Sequence, residues 1–197
     1  MKKVGIVIRD FEENDKLFVG CRKDVIDVFL KYSVQVILIP IYFPFSQVLH
    51  LVSLCDGIVL SGGDHFDVND FLLVKYLYDE NIPTLGICLG MQAIALSFGG
   101  EEINVCSDHY HGIHEIFVKQ STLLHQILKE DHIIVNSRHK TGVIDSTLEV
   151  SAKSLDGTIE AIEDKSKKFF LGLEWHPESF ANKKSDLIFE SFIKSLD

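Results

Sequence analysis

Pro83-Thr84-Leu85-Gly86-Ile87-Cys88-Leu89-Gly90-Met91-Gln92 runs from a short apolar strand into a cysteine with a glycine two residues away on either side. The glycines let the chain bend tightly where a Cβ would clash, and the apolar residues that follow read as the start of a helix. A cysteine at such a strand-to-helix elbow faces the amides that open the helix. They would favour an anionic intermediate, and the helix N-terminus is expected to lower the thiol pKa. Cys88 is therefore the candidate nucleophile, whereas Cys21, Cys55 and Cys106 read as small core residues.

Working outward, Val4 to Ile8, Val34 to Ile39, Gly57 to Leu60 and Pro83 to Ile87 are near-continuous apolar runs. Helical patterns lie between them at Lys23 to Lys31 and Phe71 to Leu77, and another, Met91 to Phe98, follows the elbow. Buried strands alternating with amphipathic helices predict an α/β fold with a mostly parallel central sheet flanked by helices. Beyond Gly99-Gly100 the strands become shorter and more alternating: Ile113 to Val118, Ile133 to Val135, Leu148 to Ala152 and Thr158 to Glu163, with Asp156-Gly157 as a hairpin signal. These predict a smaller antiparallel portion. Phe169 to Leu173 returns to a buried strand and Asp186 to Leu196 closes as a helix. With 197 residues, 46% of them hydrophobic, and no repeat or linker, one domain over 1–197 is expected.

Leu171-Gly172-Leu173-Glu174-Trp175-His176-Pro177-Glu178 places an imidazole and a carboxylate just past that returning strand, at the sheet edge where the elbow lies. His176 suits a general base and Glu178 the group that orients it, with Pro177 stiffening the link and Trp175 packing as core. Ser61-Gly62-Gly63-Asp64 follows another buried strand. The backbone amides of Gly63 and Leu89 are candidate oxyanion donors, with Gly62 the alternative if the turn is rotated.

The net charge of −10 and the scattered Lys and Arg exclude a nonspecific nucleic-acid binder. The strongest apolar stretch, Val34 to Phe45, is broken by Pro40 and Pro44 and is too short to span a bilayer, so no membrane partner is expected. Cysteines far apart, and an N-terminus entering a strand-like run without a secretory signal, predict free thiols and a cytoplasmic location. His109, His111 and His114 invite a metal reading, but strand alternation puts His114 on the face opposite the other two, and no Cys or His pair completes a zinc pattern. The three read as solvated or site-lining, and no metal is expected.

The elbow Gly86 to Gln92 together with Trp175-His176-Pro177-Glu178 resembles the class I glutamine amidotransferase superfamily. The spans His109 to Ile116, Val135-Asn136-Ser137-Arg138-His139 and Asp156 to Glu163 are similar to its stand-alone γ-glutamyl hydrolases, the peptidase C26 group. The resemblance implies a Cys88, His176, Glu178 triad, with Gln92 near a γ-glutamyl head group and Ser137, Arg138 and His139 in substrate binding. It also implies a small-molecule γ-glutamyl substrate, with a nucleotide conjugate among the candidates, no cofactor and no obligate synthetase partner. The chain is shorter than the familiar hydrolases and has His139-Lys140-Thr141 where they tend to carry His-His-Gln, which leaves the leaving group open. Arg138, Lys140, Arg22 and Lys23 are candidate contacts for a phosphorylated one. A glutaminase component feeding a synthetase would share the triad, and a binding protein that had lost activity would be expected to have lost part of it.

Overall fold

The computed structural model describes residues 1–105, 109 and 112–197. The first half runs β1 (Lys3–Glu13), β2 (Lys16–Gly20), α1 (Lys23–Lys31), β3 (Gln35–Pro40), α2 (Phe45–Val52), β4 (Gly57–Leu60), α3 (Val68–Asp79), β5 (Thr84–Ile87) and α4 (Leu89–Ser97). The second half runs β6 (Glu101–Asn104), β7 (Gly112–Val118), α5 (Leu123–Leu128), β8 (His132–Ser137), β9 (Thr141–Ile144), β10 (Glu149–Ser154), β11 (Ile159–Glu163), β12 (Phe170–Leu173), a 3₁₀ turn at Pro177–Ser179 and α6 (Lys183–Lys194).

Among the described residues, ten strands form one sheet. β3, β1, β4, β5 and β12 lie side by side and parallel, and β11, β10, β7 and β8 extend the sheet in antiparallel fashion. β6 and β9 make a separate two-stranded antiparallel sheet. The α/β architecture is the one expected, including its smaller antiparallel portion. The parallel strands β4, β5 and β12 are buried along their whole length, which explains their unbroken apolar sequence. One core face packs Phe29, Phe189, Phe192 and Trp175, so Trp175 is core as anticipated, and the other packs Leu73, Leu77, Ile94 and Phe170.

Pro40 ends β3 and Pro44 sits at the N-cap of α2, so the broken apolar run is a strand turning into a helix. α3 opens with a capping box in which Asp67 and Asp70 exchange side-chain and backbone bonds. α5 and α6 are capped by the Thr122 and Asn182 side chains. Asp156-Gly157 makes the expected turn between β10 and β11, with Gly157 at φ +91°.

The elbow differs from expectation in where its strain lies. Cys88 itself takes the positive φ, at 51° with ψ −111°, whereas Gly86 and Gly90 do not. The glycines are required by contact: a Cβ on Gly90 would overlap the Leu60 carbonyl, and one on Gly86 would come within 2.9 Å of the Gly90 backbone. Gly90→Ala is therefore expected to destabilise the protein by about 1–3 kcal/mol, the usual range for overpacking a close-packed core. Urea unfolding checks this, and an unchanged midpoint would contradict the proposed packing.

Candidate active site

Three strand ends meet at the carboxyl edge of the parallel sheet, where ligands of open α/β folds bind. β5 delivers Cys88, its neighbour β4 delivers Ser61-Gly62-Gly63, and its other neighbour β12 delivers Trp175 to Glu178. Cys88 is the N-cap of α4; its N–H donates to the Leu173 carbonyl at 2.8 Å and its own carbonyl accepts from Gln92 N at 2.9 Å. A Cβ placed on Gly62 would lie 3.2 Å from His176 Cε1 and 3.6 Å from Cys88 Cβ, so the turn sits against both side chains.

His176 and Glu178 are buried, and His176 Nδ1 lies 2.7 Å from Glu178 Oε1. With that nitrogen held by the carboxylate, the imidazole keeps one orientation and its other nitrogen is not engaged by Glu178. Asn136 pins the backbone here from both sides. Its Nδ2 donates to the His176 carbonyl at 3.0 Å and its Oδ1 accepts from His176 N at 3.1 Å. The sequence gives Asn136 a place in a resembling span but no role; a buried asparagine beside a resembling Ser-Arg-His is the available signal.

Burial pushes the Cys88 thiol well up, the negative charge of Glu174 adds to this, and Glu178 and Asp64 contribute after it. The backbone contact from Leu89 acts the other way and is outweighed. The helix-opening amide thus acts in the expected direction, but burial of Cys88 among carboxylates outweighs it and the net shift is upward. Ionisation then has to accompany proton transfer to a base.

Cys88, Gly62, Gly63, Arg138, His176 and Glu178 line one cavity of about 410 Å³, together with Arg9, Cys21, Arg22 and Phe11. Of the four cations suggested by the sequence, Arg22 and Arg138 are on this wall. Lys23 pairs with Asp27 on exposed α1, and Lys140 is exposed elsewhere. Arg138 also donates to Ser179 Oγ through Nη2.

Gln92, Ser137 and His139 are brought together, but in a buried polar layer outside that cavity's lining. Gln92 Nε2 donates to Thr141 O at 3.0 Å and to Glu174 Oε1 at 2.6 Å. His139 Nδ1 lies 3.0 Å from Glu174 Oε1, and its Nε2 lies 2.7 Å from His109 Nδ1. Ser137 Oγ donates to the His109 carbonyl. Burial opposes charge on His139, but the hydrogen bond and charge of Glu174 outweigh it and hold the imidazole above its usual pKa.

Strand alternation does not separate His109 from His114 as expected: His109 lies outside β7 (Gly112–Val118). His109 and His114 stand with ring centres 4.5 Å apart, and Glu160 lies 2.9 Å from His114 Nε2. His109, His114 and Glu160 thus bring ligand-type atoms within 4.8 Å of one another, with His109 Nε2 also 3.1 Å from Asp156 Oδ2. His111, Asp108 and Cys106 lie outside the described residues. Among the described residues no helix is long and apolar enough to cross a membrane.

Residues 18–195 match the family model described as glutamine amidotransferase class-I. A subunit of the glutamine-hydrolysing GMP synthase of Methanosarcina mazei is 32% identical over 170 residues, covering 81% of this chain and 82% of that one. The γ-glutamyl-γ-aminobutyrate hydrolase of Escherichia coli K12 is 30% identical over 149 residues, covering 64% of this chain and 59% of that protein. A crystal structure from Thermoplasma acidophilum, assigned to the corresponding GMP synthase component, aligns with 100% of this chain and 94% of its own at a TM-score of 0.78 and 25% identity. With its nucleophile-type elbow and His-Glu pair at one sheet edge, the chain belongs to the class I glutamine amidotransferase family of amide-hydrolysing enzymes.

Proposed function

We propose that the protein is a cysteine-dependent hydrolase that cleaves the γ-glutamyl amide bond of a small molecule through a thioester and releases glutamate. The observation that carries this reading is the His176 Nδ1 to Glu178 Oε1 contact of 2.7 Å, made on the wall that also holds Cys88. The Cys88 sulfur attacks the γ-carbonyl carbon while its proton passes to the free ring nitrogen of His176. The carbonyl oxygen gains charge against the amides of Gly63 and Leu89, contacts worth on the order of 3 kcal/mol each in such sites. His176, now an imidazolium held by Glu178, protonates the leaving nitrogen as the C–N bond breaks. Water then adds to the thioester with His176 taking its proton, glutamate departs, and the sulfur recovers a proton from the imidazolium.

For the leaving group, the specific reading is γ-glutamyl-CDP-amidate, hydrolysed to glutamate and cytidine diphosphoramidate for modification of a bacterial capsule polysaccharide. Arg22 and Arg138 on the cavity wall supply the charge a pyrophosphate needs, and Phe11 beside them offers an aromatic face. Similarity to the E. coli hydrolase favours a γ-glutamyl-GABA-type substrate instead. Similarity to the M. mazei GMP synthase component over four-fifths of the chain favours a glutaminase that delivers ammonia to a synthetase. An enzyme that works without a synthetase partner, in the cytoplasm, is the reading adopted.

Incubation with γ-glutamyl-CDP-amidate, γ-glutamyl-GABA and glutamine separates these, with glutamate release as the readout. The nucleotide conjugate is expected to be turned over with the highest kcat/KM; preference for γ-glutamyl-GABA rejects the nucleotide assignment, and glutamine turnover only on adding a synthetase rejects the stand-alone hydrolase. Within the triad, Cys88→Ala is expected to remove turnover by several orders of magnitude, on the order of 10⁶. Glu178→Gln, which keeps the shape but loses the charge that holds the imidazolium, is expected to cost roughly a hundredfold less. Single-turnover kinetics on both variants checks the ranking, and a fully active Cys88→Ala protein would end the mechanism.

A further inference from the structure

We propose that Arg9 is a positioning residue that fixes the Ser61-Gly62-Gly63 turn for stabilising the oxyanion; the proposal rests on the γ-glutamyl hydrolase reading above. Arg9 closes the buried stretch of β1 and is 4% exposed, on the wall of the cavity that holds Cys88. Its Nε donates to the Ser61 carbonyl at 3.3 Å. Its Nη1 lies 2.5 Å from Oδ2 of Asp70, which is wholly buried. Its stem runs directly beneath the turn, since a Cβ on Gly63 would come within 2.5 Å of Arg9 Cδ.

The pair is anchored at its far end as well. Asp70 Oδ2 also accepts the Asp67 N–H at 2.9 Å within the capping box of α3, so the carboxylate cannot swing away without uncapping a helix. On the near side Ser61 Oγ donates to the Val7 carbonyl at 2.5 Å, a second tie between the turn and β1. A turn containing two successive glycines has more conformational freedom than any other, and catalysis needs its N–H groups held about 2.7–3.1 Å from where charge will develop. The two ties from β1 supply that restraint.

Stability does not account for the arrangement. Taking a guanidinium and a carboxylate out of water costs several kcal/mol for each ion, and an apolar pair of the same volume commonly does as well or better. Here the pairing is also incomplete: Arg9 Nη2 and Asp70 Oδ1 are buried and have no hydrogen-bond partner among the described residues. What the pair does provide is a guanidinium held in one place behind the turn, with its Nε fixed on the Ser61 carbonyl.

The test compares wild type with Arg9→Met, which keeps the stem under Gly63, Arg9→Lys, which keeps a charge, and Asp70→Asn. Each is assayed on γ-glutamyl-p-nitroanilide, and Cys88 alkylation by iodoacetamide and L-glutamate affinity are measured alongside. The expected result for Arg9→Met is a kcat lower by about a hundredfold, with KM, glutamate affinity and alkylation rate within about threefold of wild type, and partial recovery in Arg9→Lys. A wild-type kcat in Arg9→Met overturns the proposal, and so does a parallel loss of kcat, affinity and alkylation rate, which is the mark of a structural role. If Arg9→Met does not fold, Arg9→Lys and Asp70→Asn decide: at least tenfold lower kcat at unchanged KM supports the proposal, and unchanged kcat in both overturns it. A wild-type protein that hydrolyses no γ-glutamyl amide overturns the hydrolase reading and this one with it, whereas an active wild type with an equally active Arg9→Met overturns this one alone.

Discussion

The seating of Gly90 against the Leu60 carbonyl is the contact on which the rest of the site depends. β4 and β5 are neighbours in register, Leu60 beside Gly86, and α4 must pack back over both within three residues of leaving β5. That sharp return puts Cys88 into a backbone conformation that costs an ordinary residue about 1–3 kcal/mol. The packing of α4 and the hydrogen bonds of Cys88 to Leu173 and Gln92 hold it there. Because β5 is flanked by β4 and β12, whatever follows those strands arrives at the same edge. The glycine turn and the His-Glu pair reach Cys88 by topology, with no long-range loop required.

Charge at the site follows from the same crowding. Cys88 stands among Glu174, Glu178 and Asp64, which disfavour a thiolate, yet carboxylates of this kind favour an imidazolium. In the proposed mechanism, moving the proton from sulfur to His176 places the resulting positive charge beside Glu178. Glu174 is itself buried, which raises its pKa, and its Oε1 meets both His139 and the Gln92 amide. Through Glu174 the buried polar layer thus adds to the negative charge the sulfur feels, alongside Glu178 and Asp64. Its members are bonded to one another and to backbone carbonyls, so their influence on the site is electrostatic and through the backbone.

Most of the parallel half was legible because burial on both faces leaves an unbroken apolar signature, as in Gly57 to Leu60 and Pro83 to Ile87. The elbow and Trp175-His176-Pro177-Glu178 were legible because glycine contacts and short polar spacings are local. The extension of β1 and its hairpin with β2 were not. Phe11, Leu17, Phe18 and Val19 are exposed, so no face of this hairpin carries a burial period. Its register comes instead from the positive-φ pair Asn14 and Asp15 and from the stacking of Phe11 on Phe18 across the strands. Arg9, Glu174 and Asn136 escaped for another reason. Each looks like an ordinary polar residue at a strand end or beside a motif, and only the fold brings in Asp70, His139 and His176 to meet them.

The same division separates chemistry from specificity. In the proposed mechanism the bond-breaking groups follow directly on β5 and β12, strands whose sequence is constrained by the core. The wall where a leaving group would lie is built from Phe11 and Arg22 at the exposed hairpin and its exit, and from Arg138 just past β8. The hairpin is exposed and owes little of its conformation to the core, whereas Arg138 stands between the buried Ser137 and His139. A chain carrying a net charge of −10 can nonetheless place three arginines, Arg9, Arg22 and Arg138, on the wall that holds Cys88, because a pocket responds to charges within about 10 Å and is screened from the rest. Under the proposed function, selectivity for the departing group falls to the exposed hairpin side of this wall, which the sheet does not constrain.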